Sequence, residues 1–314
     1  MKIEPQSTPP ASDVLVPWPF WTSVGYVAVV LIWSTTWYGI HTQVNGTSPH
    51  VGVALRMGAA ALIFAAIAVL AKQKLRVPRP QVGLILVQGV CFFGFNYLTV
   101  YSGAQYLTSG VVAVIVSLAV PLNIVAEWVL YSARPKLLHV SAAMLGMLGI
   151  SLVFGSELES ALAVEGAWRG AGLVACSAIF VAVGNVVSVR LMNAKLSWIS
   201  VNALGMAVGT IAVLLWGAFS GATWVLQPSP IWLGGFAYLV IFGSVAAFGI
   251  YMKILPTIGT TAGAYVTVLC PVVALLISAL LEGFRLQLLT FAGVALLLLG
   301  HTLLIRQRSG RALR

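Results

Sequence analysis

Charge is the scarcest commodity in this chain. Its 314 residues include 17 Lys and Arg, 7 Asp and Glu and 4 His, so only 8% are charged. A soluble globular domain carries about a quarter. With so few charges and 60% hydrophobic residues, a water-soluble fold is excluded. Runs of about 20 apolar residues recur along the chain, each long enough to cross a bilayer as a helix. These runs lack the two-residue alternation of a membrane β-barrel.

Other shortages narrow the function. The acids and histidines are scattered among loops and span ends, which leaves an intramembrane enzyme no paired acids or Ser/His cluster at one depth. No carboxylate or histidine stands at a clear midplane position, so the proton relay of a proton-coupled pump is not visible. His41, His50, His139 and His301 lie near the interfaces and read as structural residues. There is no glycine-rich phosphate loop for ATP coupling. The three cysteines, Cys91, Cys176 and Cys270, all sit within apolar runs and read as small buried residues, with no disulfide and no metal site expected. The net charge of +10 reflects basic loops between spans rather than a nucleic-acid surface, and no nucleic acid and no cofactor are expected.

The expected fold is an all-α polytopic membrane protein of ten transmembrane helices. They cover residues 19–41, 48–71, 80–103, 106–131, 137–155, 168–191, 197–219, 231–252, 258–281 and 286–306. Residues 1–18 are a polar, proline-rich tail. A first repeat spans 19–155, an acidic periplasmic linker 156–167, a second repeat 168–306 and a basic tail 307–314. The basic residues set the orientation. Lys2, Lys72, Lys74, Arg76, Arg79, Arg134, Lys136, Arg190, Lys195, Lys253, Arg306, Arg308, Arg311 and Arg314 fall on one side, against Arg169 and Arg285 on the other. Both termini are therefore expected in the cytoplasm.

The halves echo each other. Tyr101 and Tyr251 match at a shift of 150 residues, as do Pro121 and Pro271, while Arg134 with Arg285 and Gly149 with Gly300 match at 151. Each half holds an odd number of spans, so the second must be inverted in the membrane. Inverted repeats mark alternating-access transporters, with substrate held between the halves near the midplane. Gly110, Pro121, Gly263 and Pro271 are the expected packing and hinge positions, because proline removes a helix hydrogen bond and glycine allows close approach.

Polar and aromatic residues at mid-span are the candidate cavity. Trp33, Thr36 and Trp37 lie on the first span, Arg56 on the second, and Asn96, Tyr97 and Tyr101 on the third. Ser117, Asn185 and Ser244 follow on the fourth, sixth and eighth, with Tyr265 and Thr267 on the ninth. Rings would wall such a cavity, and amides and hydroxyls would orient a ligand. For serines and threonines, helix-to-helix packing is the competing role, and for Tyr251 an interfacial belt is the favoured one. Arg56 could attract a carboxylate, pair with Glu282, or snorkel to the headgroups.

Several stretches resemble the EamA type of the drug/metabolite transporter superfamily. They are Ile32–Trp37 (IWSTTW), Ala54-Leu55-Arg56, the proline-centred fourth and ninth spans, and Leu281-Glu282-Gly283-Phe284-Arg285 before a span ending in Gly300. The pattern departs at Ser132-Ala133-Arg134, where the family often has Gly-Glu-Arg, and at Phe180, where a tryptophan is common. The resemblance implies ten helices in two inverted halves around a central cavity, and export of small metabolites. The aromatic-rich spans are most similar to the amino-acid exporters, which implies neutral amino acids, aromatic ones included, moved by a monomeric facilitator or exchanger. The alternative is a multidrug or other metabolite carrier of the same fold, proton-coupled or not.

Overall fold

The structure, a computed structural model, describes residues 18–132, 137, 140–141, 144–149, 151–152, 165–255, 257–258, 263, 266, 269–270, 273, 280 and 288–309. These residues form an all-helical bundle. Six helices are long and apolar enough to cross a membrane: α1 (Phe20–Val44), α2 (Pro49–Leu70), α3 (Arg79–Gly103), α6 (Ala167–Asn193), α7 (Trp198–Phe219) and α8 (Pro230–Leu255). The shorter helices are α4 (Ser109–Val116), α5 (Ala119–Tyr131) and α9 (Leu288–Ser309). Each long helix ends within three residues of its expected span. The expected span 137–155 is described in part, and most of 258–281 lies outside the described residues, with Tyr265, Thr267 and Pro271, as does Glu282.

The fourth span is interrupted between α4 and α5 at Ser117–Leu118, and Pro121 supplies the cause. Proline has no N–H to give the carbonyl four residues back. The carbonyl of Ser117 instead accepts from Val120 N at 3.0 Å, and Leu118 N reaches Ile115 O at 3.0 Å. The helix tightens for one turn and resumes.

Two helices widen rather than tighten. Gly89–Phe95 within α3 and Leu239–Ala246 within α8 adopt π-helical turns. The second begins 150 residues after the first. Other features recur at nearly the same interval. Left-handed residues end α2 and α7 at Lys72 (φ 53°) and Gly221 (φ 65°), and they precede the same two helices at Gly46 (φ 79°) and Lys195 (φ 56°). Ser48, at the start of α2, bonds the loop after α7: its N–H reaches Val225 O at 3.0 Å and its Oγ reaches Thr223 O at 2.5 Å. Ser197, at the start of α7, bonds the loop after α2, with its Oγ 2.6 Å from Gln73 Oε1. The same device thus closes opposite ends of the bundle.

Packing crosses between the halves. α2 lies along α7, α1 packs on α8, and α6 packs on α3 and α5. At the α2–α7 seam, Met57 and Met206 are both fully buried and occupy matching positions. Large apolar side chains such as Leu31, Leu62, Leu215 and Ile241 face outward, as lipid-facing positions should.

Candidate functional site

A cavity of ≈ 60 Å³ lies where α1, α3, α4, α6 and α8 converge. Helical spacing explains its walls. Trp33, Thr36, Trp37 and Ile40 share one face of α1, and Phe92, Asn96, Tyr97 and Val100 line it from α3. Val116, Val181, Asn185, Phe248 and Cys270 complete it. Such a volume holds a few waters; a larger ligand requires the walls to part.

The aromatic wall is interlocked. The Trp33 ring lies 5.0 Å from Phe248 and 5.1 Å from Tyr251, and Phe92 lies 5.5 Å from Phe248. Separations and tilts of this kind suit the ring quadrupoles. Trp33 Nε1 donates to Gly243 O at 3.2 Å, a carbonyl of the wide turn in α8. Tyr251 OH donates to Asn185 Oδ1 at 3.4 Å. Asn96 Nδ2 donates back to Phe92 O at 3.1 Å, and Thr36 Oγ1 to Trp33 O at 2.6 Å. Trp37 Nε1 is buried with no acceptor among the described residues.

Arg56 sits behind this wall. It is 1% exposed, its Nε donates to Ser244 Oγ at 2.9 Å, and its Cζ lies 4.6 Å from the centre of the Tyr97 ring. Tyr101 is buried beside it. Nη1 has no hydrogen-bond partner among the described residues. The guanidinium therefore does not snorkel, and Glu282 lies outside the described residues.

Of the candidate side chains, Trp33, Thr36, Trp37, Asn96, Tyr97 and Asn185 meet at the cavity. Arg56, Tyr101 and Ser244 form a second layer, and Ser117 is buried away from the lining. Gly110 and Gly263 are buried; a Cβ on Gly263 would fall 2.7 Å from Leu255 Cδ1 and 2.9 Å from the Tyr251 hydroxyl. Two expectations are corrected. Tyr251 is no interfacial belt residue: it is 2% exposed and packs on Trp33. The cysteines are free, but Cys176 is exposed and only Cys270 is fully buried, because Cys176 falls on the outward face of α6, where a thiol behaves as a small apolar group. Phe92, Phe248, Val100, Val116, Val181 and Ile40 went unnoticed and Cys270 was read only as a buried residue, since an apolar wall residue looks like any other residue of an apolar span. The one available signal was spacing: Phe92 stands four residues before Asn96, and Ile40 three after Trp37.

Comparison with known proteins agrees with this architecture. The profile of the EamA-like transporter family matches the chain twice, over residues 20–155 and 168–306. The uncharacterized inner membrane transporter YedA of Escherichia coli (strain K12) is 27% identical over 262 residues, covering 82% of this chain and 81% of that protein. An uncharacterized transporter of Archaeoglobus fulgidus is 25% identical, covering 89% of this chain and 96% of its own. The uncharacterized transporter YoaV of Bacillus subtilis is 20% identical over 258 residues, or 80% and 85% of the two chains. One crystal structure shares the fold at a TM-score of 0.68 and 18% identity, over 91% of this chain and 98% of that one. A duplicated profile match, transporter relatives along most of their length and an all-helical bundle with paired wide turns converge: the chain is a polytopic membrane transporter and belongs to the EamA-like transporter family.

Proposed function

We propose that this transporter exports small neutral metabolites, foremost amino acids including aromatic ones, in the manner of the exporter YddG that its aromatic spans resemble. The observation that carries the reading is the cavity between the halves, walled by the rings of Trp33, Trp37, Phe92, Tyr97 and Phe248 with Asn96 and Asn185 at its edge. Rings offer a flat apolar surface to a side chain of varied shape, and two amides offer orientation without charge. Alternating access follows from the repeat: the broken fourth span and the wide turns of α3 and α8 are where the halves would rock about the cavity. Both termini lie in the cytoplasm on this reading, as the basic loops require. The chain works as a monomer, because the cavity is built within one chain.

The driving force is the substrate gradient. Among the described residues no Asp, Glu or His lines the cavity, so a proton carrier has no group there to load.

Counterflow in proteoliposomes tests the reading. Vesicles preloaded with unlabelled tryptophan or leucine should accumulate the labelled amino acid, saturably, and a protonophore should leave the rate unchanged. Single substitutions Trp33→Ala and Tyr97→Ala should raise the half-saturation concentration. Unchanged affinities in both variants would refute the site, and uptake only under an imposed proton gradient would refute the facilitator.

A further inference from the structure

At a shift of 149 residues α2 matches α7: Ser48 falls on Ser197, Met57 on Met206, and Arg56 on Gly205. The last pair breaks the symmetry. Gly205 lets α7 press against α3; a Cβ there would stand 2.7 Å from Gln88 Oε1 and 2.8 Å from Phe93 Cε2. In the other half the guanidinium of Arg56 fills the corresponding gap between α2 and the wide turn of α8. Its Nη2 lies 3.1 Å from where a Cβ on Gly243 would stand, and its Nε is bonded to Ser244 Oγ.

An apolar side chain could have filled that gap at no electrostatic cost. A buried cation is expensive unless something returns the energy. The described groups that surround this one are the Ser244 and Tyr101 hydroxyls and the Tyr97 ring, all of them neutral. Among the described residues Nη1 has no hydrogen-bond partner, and neither has Trp37 Nε1 on the cavity wall. The guanidinium thus casts a positive field across the Tyr97 ring into the cavity, and a negative group on a ligand would answer it.

We infer that Arg56 sets the charge specificity of the cavity. It favours ligands that carry a carboxylate and rejects those whose only charge is a cation. The inference rests on the substrate reading above and sharpens it, for it turns away the cationic drugs that an aromatic cavity would otherwise admit. Tyr97 lies between the guanidinium and the cavity, so a ligand against the far face of its ring adds a contact distance of about 3.5 Å to the 4.6 Å already spanned. At roughly 8 Å and an effective dielectric constant of about 20, each unit of ligand charge changes binding roughly 30-fold.

Tryptophan and tryptamine differ by one carboxylate and make the probe pair. Counterflow of each is measured with the purified full chain in liposomes, for the wild type, Arg56→Gln and Arg56→Lys. The wild type should take tryptophan with roughly 30-fold lower half-saturation than tryptamine. Arg56→Gln should reduce that preference to under about threefold, and Arg56→Lys should retain its direction. The wild-type comparison stands alone if the glutamine variant fails to fold. Tryptamine carried as well as tryptophan by the wild type, or a preference that survives Arg56→Gln, overturns the charge filter and leaves the transporter reading intact. Movement of neither compound, nor of leucine, overturns both.

Discussion

Gly209 is where a single methyl group tests the packing of the halves. It lies on α7 one turn beyond Gly205, facing the wide turn of α3. A Cβ built on it would stand 2.8 Å from Gly89 O, 2.8 Å from Gly94 N and 2.8 Å from Phe93 C. All three are backbone atoms, so no side-chain rotation can make room, and α7 and α3 must move apart. Forcing a methyl group into a packed interface of this kind costs about 1–3 kcal/mol. Gly58 on α2 is the control. Its Cβ would meet Thr210 Cγ2 at 3.5 Å and Oγ1 at 3.8 Å, ordinary contacts, and alanine is the better helix former by about 1 kcal/mol. Ala60, the residue matching Gly209 at the 149-residue shift, already carries the methyl group in the other half. Gly209→Ala should therefore melt several degrees below the wild type in detergent, followed by size-exclusion recovery after heating, while Gly58→Ala should melt with the wild type or above it. A Gly209→Ala protein as stable as the parent would show that α7 does not sit against α3 as described.

Other substitutions probe the cavity and its second layer. Trp33→Phe keeps a ring against Phe248 and Tyr251 but leaves Gly243 O without its donor, a loss of about 0.5–1.5 kcal/mol. Its counterflow affinity should fall less than that of Trp33→Ala, and equal values would mean that the ring contacts do not matter. Ser244→Ala removes the acceptor of a buried guanidinium N–H, at about 1–3 kcal/mol, and should lower the detergent melting temperature; no change would place Ser244 away from Arg56. Cys270→Phe puts a ring into a cavity of ≈ 60 Å³, so it should abolish counterflow in protein that still elutes as a folded species, whereas Cys176→Phe on the outer face should be carried normally. A C-terminal green fluorescent protein fusion should be bright and an alkaline phosphatase fusion inactive, and the reverse would invert the proposed orientation.

The span limits were legible because hydropathy reports burial in lipid directly, and loop charges mark the turns. The polar cavity residues were legible for a related reason. Asn96, Asn185 and Thr36 stand out in an apolar run, and each is expensive in hydrocarbon unless it meets a partner or a cavity. Tyr251 defeated the same reasoning. Its place near a span end suggested the headgroups, but its side chain turns inward, matching Tyr101 in the other half. Depth along a helix can be counted from sequence; the facing direction depends on the neighbours. The apolar walls from Phe92 to Val181 left only the helical spacing of Phe92 and Ile40 from polar neighbours as a trace, since lipid, core and cavity accept the same side chains.

The wide turns of α3 and α8 were invisible for a deeper reason, and they bear on the asymmetry at Arg56. A π turn accommodates one extra residue without altering hydropathy. It rotates everything after it about the helix axis, and it leaves carbonyls such as that of Gly243 to bond elsewhere. In α3 that turn is clasped by Gly209 through backbone contacts that no side-chain motion can relax, with Gly205 set against the Gln88 and Phe93 side chains one turn earlier. In α8, among the described residues, the matching turn is tied to its neighbours by side-chain hydrogen bonds: the Trp33 indole on Gly243 O and the Arg56 guanidinium on Ser244 Oγ. Side-chain hydrogen bonds can be exchanged for bonds to a ligand; interlocked backbones cannot. The same duplicated frame thus has a seam interlocked through backbone in one half and one held through side-chain hydrogen bonds in the other; the first sets Phe92 in the cavity wall, and the second reaches that wall through the Trp33 indole.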